Sequence, residues 1–114
     1  MTDTPFETRT SWHAGAAVIE VVGEIDMTTA PEVAKSIDAV AAAANRVVID
    51  LRPVDFLDSS GLSTLVRCRR DLDRAGLSFR VVAPESHGPR RVIEISRLAE
   101  SLGVVSTLDD ALAS

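Results

Sequence analysis

The feature of the sequence that most constrains the fold is a nearly continuous apolar run at residues 46–51. The run contains Val47, Val48, Ile49 and Leu51, so an extended segment here would be apolar on both faces. A strand covered on both faces is typical of a parallel or mixed sheet with helices packed against it, whereas a half-exposed strand alternates apolar and polar residues. The run therefore predicts the central strand of an α/β sheet.

Two strands and a helix are predicted before this central strand. Residues 6–12 and 16–22 favour a β-hairpin. Residues 29–32 fit a capping box, in which Thr29 and Glu32 satisfy each other's backbone donors at the start of a helix. The helix that follows carries an apolar stripe on one side, made of Val33, Ile37, Val40, Ala41 and Ala44.

Three further helices are predicted after the central strand. The second runs from the capping residues at 58–61 to Gly76, and the third from Pro89 to Gly103. Strands are predicted at residues 77–83 and 104–106, with a last helix beginning at Thr107. The order ββαβαβαβα indicates an α/β fold with a mixed sheet flanked by helices.

Three connections in this order follow a strand and precede a helix. They lie at residues 23–28, 53–58 and 84–88. Because the carboxyl ends of parallel strands meet at one edge of a sheet, we expect these connections to lie together, where open α/β sheets carry their sites.

Composition limits the possible partners and the compartment. A length of 114 residues predicts one domain over residues 1–114, with its core at about residues 6–112. A formal net charge of −5 and the absence of Tyr argue against nucleic acid. The polar start, which carries Asp3, and the lack of a long apolar run predict a cytoplasmic protein without a membrane partner. Cys68 is the only cysteine, which predicts a small buried apolar side chain.

The residue inventory argues against an enzyme. A nucleophile elbow around Ser59 would need a glycine two residues to each side, and Leu57 occupies one of these positions. Only His13 and His87 could serve as an imidazole base, and both lie in predicted turns or loops. No glycine-rich phosphate loop occurs, and the acidic pairs at 55/58 and 109/110 match no calcium loop. We therefore expect no catalytic residues, no metal and no cofactor.

The motif that remains is Asp58-Ser59-Ser60-Gly61-Leu62. Its position directly before a helical apolar pattern is by itself explained by a capped helix start. Combined with residues 54–57, residues 23–26 and the element order, it resembles the STAS family in its stand-alone form, the bacterial anti-sigma factor antagonists. The resemblance covers Phe6 to about Leu112.

The resemblance implies a partner switch controlled by phosphorylation. Ser59, rather than Ser60, matches the phosphoacceptor of the family. The unmodified antagonist binds an anti-sigma factor that is also a serine kinase and so releases the sigma factor. Phosphorylation inactivates the antagonist, and a PP2C-type phosphatase resets it. The residues that the resemblance places at the partner contact are Asp26, Asp58, Ser60, Gly61 and Leu62.

Two alternatives use the same fold. One is a non-phosphorylated STAS subunit that docks on an ABC-transporter ATPase through the same loop and helix. The other is a small-ligand-binding module with its ligand in the crevice at the strand ends, where few aromatic residues are available as anchors. For the anti-sigma factor antagonist we expect a monomer or a weak dimer.

Overall fold

A computed structural model describes residues 5–113 as a mixed β-sheet flanked by helices. Asp3 and Ser114, which belong to the predicted polar start and the predicted domain, lie outside the described residues. Within the described residues, no helix is long and apolar enough to cross a membrane. The elements are β1 (Glu7–His13), β2 (Ala16–Ile25), α1 (Ala30–Ala41), β3 (Arg46–Asp50), β4 (Val54–Leu57), α2 (Ser59–Arg74), β5 (Ser78–Val82), α3 (Gly88–Ile95), β6 (Val104–Val105) and α4 (Leu108–Ala113).

Strand β3 occupies the centre of the sheet, as the apolar run predicts. The strand order is β1-β2-β3-β5-β6, and β4 pairs with β2 outside this path. Within residues 5–113, only the β1–β2 pair is antiparallel, while the other pairs are parallel. Val47 and Ile49 are completely buried. The predicted α/β fold with a mixed, helix-flanked sheet is confirmed.

The two faces of β3 are buried by different helices. Val47 and Ile49 belong to the main apolar cluster, which includes buried residues of α1, α2 and α3. Val48 points to the other face and packs in a smaller cluster with Ala111 of α4. Coverage on both sides explains why the strand does not alternate apolar and polar residues.

The predicted order of elements was wrong at one point, because residues 53–58 contain a short strand. β4 pairs with the end of β2, which runs to Ile25 rather than stopping at residue 22. The register shifts between Gly23 and Glu24, and Gly23 has a φ of 105°. This irregularity lets β2 continue beside a new neighbour. The observed order is therefore ββαββαβαβα.

The third helix was predicted too long. It ends at Ile95, and Arg97 adopts the left-handed conformation with a φ of 60°. The amide of Arg97 donates to the carbonyl of Glu94 at 2.9 Å, and the amide of Leu98 donates to the carbonyl of Ile93 at 3.1 Å. These two bonds form a Schellman motif that stops the helix. Ile95, the last residue of the helix, is 75% exposed.

Cys68 lies on the buried side of α2, as predicted, and burial raises the pKa of its thiol to about 11 from an ordinary 9.0. In the unfolded chain the thiol ionises at lower pH, so the folded state holds its proton over a wider range. Between pH 9 and 11, this residue therefore makes stability fall as pH rises, by at most about 1.4 kcal/mol per pH unit. We expect denaturant unfolding to show a steeper alkaline decline for the wild type than for Cys68→Ala. Parallel declines would contradict this expectation.

Candidate functional site

The three predicted connections meet at one end of the sheet. The amide of Asp58, before α2, donates to the carbonyl of Ile25 at the end of β2 at 3.2 Å. Nε2 of His87, before α3, donates to the carbonyl of Val54 in β4 at 2.7 Å. Hydrogen bonds therefore tie the β2–α1, β4–α2 and β5–α3 connections to one another, and the predicted clustering is confirmed.

The first turn of α2 presents an accessible hydroxyl at this end of the sheet. Asp58 is the N-cap residue, and its Oδ1 accepts from the amide of Gly61 at 3.0 Å. Ser59 is the first helical residue and is exposed, whereas Ser60 is half-buried. Within residues 5–113, the amides of Ser59 and Ser60 have no hydrogen-bond acceptor. The Ser59 side chain thus lies beside free backbone donors, as expected for the start of a helix.

Gly61 permits α2 to pack closely against the sheet. A Cβ atom at this position would lie 2.7 Å from Cγ2 of Ile25 and 2.7 Å from Cδ1 of Leu57. Both distances are too short for any side chain, so the start of α2 can approach β2 and β4 only with a glycine here. Gly61 is buried and Leu62 is only 7% exposed, so their predicted contact with a partner stays a prediction.

Asp26 organises the turn before α1. Its Oδ1 accepts from the amides of Thr28 at 2.9 Å and Thr29 at 3.1 Å. The hydroxyl of Thr29 donates to the carbonyl of Glu24 at 2.7 Å and makes no capping bond in α1. The predicted capping box between Thr29 and Glu32 was therefore wrong, because the hydroxyl of Thr29 accepts from the amide of Asp26 at 2.9 Å and not from the amide of Glu32. Asp26 itself is half-buried, so part of it faces solvent at the predicted contact.

Two exposed apolar side chains near Asp26 and Asp58 were missed by sequence reasoning. Met27, next to Asp26, is 76% exposed. Phe56, two residues before Asp58 in β4, is 48% exposed and pairs in register with Glu24. Large apolar groups exposed at a site of polar residues are typical of protein contacts. The sequence signalled them only by placing a large apolar residue in each of the predicted connections 23–28 and 53–58.

The two histidines make separate contacts, and the potential metal ligands of the described residues are not grouped. Among residues 5–113, no three His, Cys, Asp or Glu side chains are grouped so that they could hold a metal ion. His87 is engaged with the carbonyl of Val54, and His13 lies on β1 with Nε2 3.2 Å from the hydroxyl of Ser11. The fold and this site define a class of α/β protein that presents a binding surface at the end of its sheet.

Comparisons with known proteins agree with this description. The STAS domain model matches residues 8–111. The anti-sigma-F factor antagonist RsfB of Mycobacterium tuberculosis is 39% identical over 101 residues, which cover 88% of this chain and 81% of that protein. The crystal structure of an anti-sigma factor antagonist from Mycobacterium paratuberculosis superposes with a TM-score of 0.85 at 39% identity, covering 95% of this chain and 92% of the other. The chain therefore belongs to the STAS-domain family of anti-sigma factor antagonists.

A more distant structure shows the same fold. The unphosphorylated form of the anti-sigma factor antagonist SpoIIAA superposes with a TM-score of 0.69 at 15% identity, over 93% of this chain and 92% of the other. Anti-sigma factor antagonists are regulators without enzymatic activity, and an antagonist of this kind has an anti-sigma factor as its partner.

Proposed function

We propose that the chain, in its unphosphorylated form, binds an anti-sigma factor that is also a serine kinase and thereby releases the sigma factor. Phosphorylation of Ser59 by this kinase ends the interaction, and a PP2C-type phosphatase restores it. The observation that supports this proposal most directly is the exposed position of Ser59 as the first residue of α2.

The local structure suits a kinase substrate. Asp58 caps the helix, so the hydroxyl of Ser59 is not needed for this bond. A phosphate group adds about −1.5 to −2 charges, and free backbone amides at a helix N-terminus can accommodate it locally. The modification should therefore leave the fold intact and change only the surface that a partner meets.

The proposed docking face is defined as Asp26, Met27, Phe56, Asp58 and Ser60, which lie before α1 and α2 in the two connections that the bond from Asp58 to Ile25 joins. Met27 and Phe56 supply exposed apolar area, and Asp26 and Asp58 add carboxylates that also hold their turns in place. Apolar anchors encircled by polar groups are the usual source of affinity at protein interfaces. Gly61 would act here from below, by fixing the position of α2 against β2 and β4.

The experiment that tests the modification is incubation with the anti-sigma kinase and ATP, followed by intact-mass analysis and fragmentation. We expect one added phosphate on Ser59, none on Ser59→Ala, and unchanged modification of the matched control Ser60→Ala. Phosphate found only on Ser60, or persisting in Ser59→Ala, would contradict the assignment. No added phosphate at any position would instead favour the non-phosphorylated docking subunit, such as one that associates with an ABC-transporter ATPase.

A further inference from the structure

A shallow groove extends from Ser59 along the exposed side of α2. Its volume is about 380 Å³, and it is open to solvent along the helix. Leu62, Val66 and Leu98 form its apolar part, and Leu98 comes from the segment after α3. The remaining lining residues are polar or charged: Ser59, Ser63, Arg67 and Arg70.

The arginines of this groove differ from the other two arginines of α2. Arg69 pairs with Asp73 at 2.9 Å, and Arg74 lies 3.8 Å from Asp71. Among residues 5–113, no carboxylate lies within salt-bridge distance of Arg67 or Arg70. The chain has a net charge of −5, so two unpaired cations on an apolar groove form a local positive site on an acidic protein.

We propose that this groove binds an acidic segment of the anti-sigma factor, with an apolar side chain against Leu62, Val66 and Leu98 and carboxylates paired with Arg67 and Arg70. The inference rests on the proposed function, because Ser59 lies both at the docking face and in the groove. Charge complementarity identifies the segment as acidic, since it offers the two guanidinium groups the partners that they lack within the described residues.

The proposal gives the phosphate a specific place of action. A phosphate on Ser59 would stand in the same groove as the incoming carboxylates and repel them. It would also offset the positive charge of Arg67 and Arg70 within the groove. The same two arginines would therefore attract the partner before phosphorylation and lose much of this attraction after it.

The test is calorimetric titration of the anti-sigma factor with Arg67→Glu/Arg70→Glu. The matched control is Arg9→Glu/Arg74→Glu, which changes the net charge equally at exposed positions outside the groove. We expect the groove variant to bind about tenfold more weakly and to lose part of the salt dependence of binding, because two charge pairs are removed. The control should bind within about threefold of the wild type, and circular dichroism should show both variants folded.

Each outcome separates the groove from the proposed function. If the wild type binds and the groove variant binds as well as the control, the groove proposal is wrong and the proposed function stands. If both double variants weaken binding equally, the effect is one of net charge and the groove proposal is again wrong. If the wild type does not bind the anti-sigma factor at all, the proposed function fails, and the groove proposal fails with it.

Discussion

Phosphorylation of Ser59 is expected to weaken binding to the anti-sigma factor by between about tenfold and a hundredfold, equivalent to about 1.4–2.8 kcal/mol. The phosphate would lie beside Asp58 and within the proposed docking face, where it must be desolvated next to a like charge. No change of fold is needed, because the charge acts at the contact itself. Calorimetric titration of the phosphorylated and unmodified proteins measures the difference.

Two substitutions separate the effect of charge from the loss of the hydroxyl. Ser59→Ala should bind within about threefold of the wild type and unfold within about 0.5 kcal/mol of it, since Asp58 rather than Ser59 caps α2. Ser59→Asp should weaken binding partly, because it adds one negative charge without the full charge of a phosphate. Equal affinity for both variants and the phosphorylated protein would exclude a charge-operated switch.

Gly61→Ala is expected to destabilise the protein by about 1–3 kcal/mol, although alanine normally stabilises a helix relative to glycine. The added methyl group would collide with Ile25 and Leu57, and it would also lie 3.0 Å from the carbonyl oxygen of Ile25. The backbone oxygen cannot rotate away like a side chain, so α2 must shift outward from the sheet. Urea unfolding at equilibrium measures the loss of stability.

Gly88→Ala provides the matched control for this substitution. Gly88 is also in the first turn of a helix, but among the described residues no atom beyond its chain neighbours and its own helix backbone lies within 4 Å of the position that its Cβ would take. We expect a change of less than about 1 kcal/mol in either direction, because alanine is favoured over glycine in a helix but Pro89 disfavours helical backbone at a preceding residue that carries a Cβ. If Gly61→Ala were as stable as Gly88→Ala, the close approach of α2 to β2 and β4 would not be required.

The sequence predicts the sheet best where many residues carry the same signal. The buried run of β3 and the apolar stripe of α1 depend on hydrophobic periodicity, which survives small local errors. Strand β4 has only four residues, and Asp55 and Phe56 in its middle are both exposed, so it shows no regular alternation. β4 pairs with the irregular end of β2, which is distant in the chain. The local sequence does not encode such a long-range pairing.

The ends of two helices show the same contrast. Gly76 was predicted to end α2, and it takes a φ of 78° while the amide of Leu77 donates to the carbonyl of Leu72. Arg97 takes the corresponding left-handed position after α3. Glycine favours this conformation, so Gly76 is a readable signal, whereas an arginine gives none. The predicted third helix therefore continues to Gly103, through residues that form separate turns in the structure.

The candidate site was only partly predictable. The capping residues and the resemblance pointed to Asp58 and Ser59, because a local motif carries this information. The exposure of Met27 and Phe56 and the unpaired state of Arg67 and Arg70 depend on which neighbours the fold brings close. Composition and spacing assign such residues to a helix or a loop, but they do not determine what each side chain meets.

The bond between the amide of Asp58 and the carbonyl of Ile25 also has a consequence for folding. Asp26 and Met27 of the proposed docking face are separated in the chain from Phe56, Asp58 and Ser60 by α1 and β3, so the two groups come together only when β2 and β4 pair. Such non-local pairing forms later than the local β1–β2 hairpin. If the proposed docking face makes the contact with the anti-sigma factor, we expect a nascent chain that lacks β4 not to bind it, so that binding would begin only once the sheet is complete.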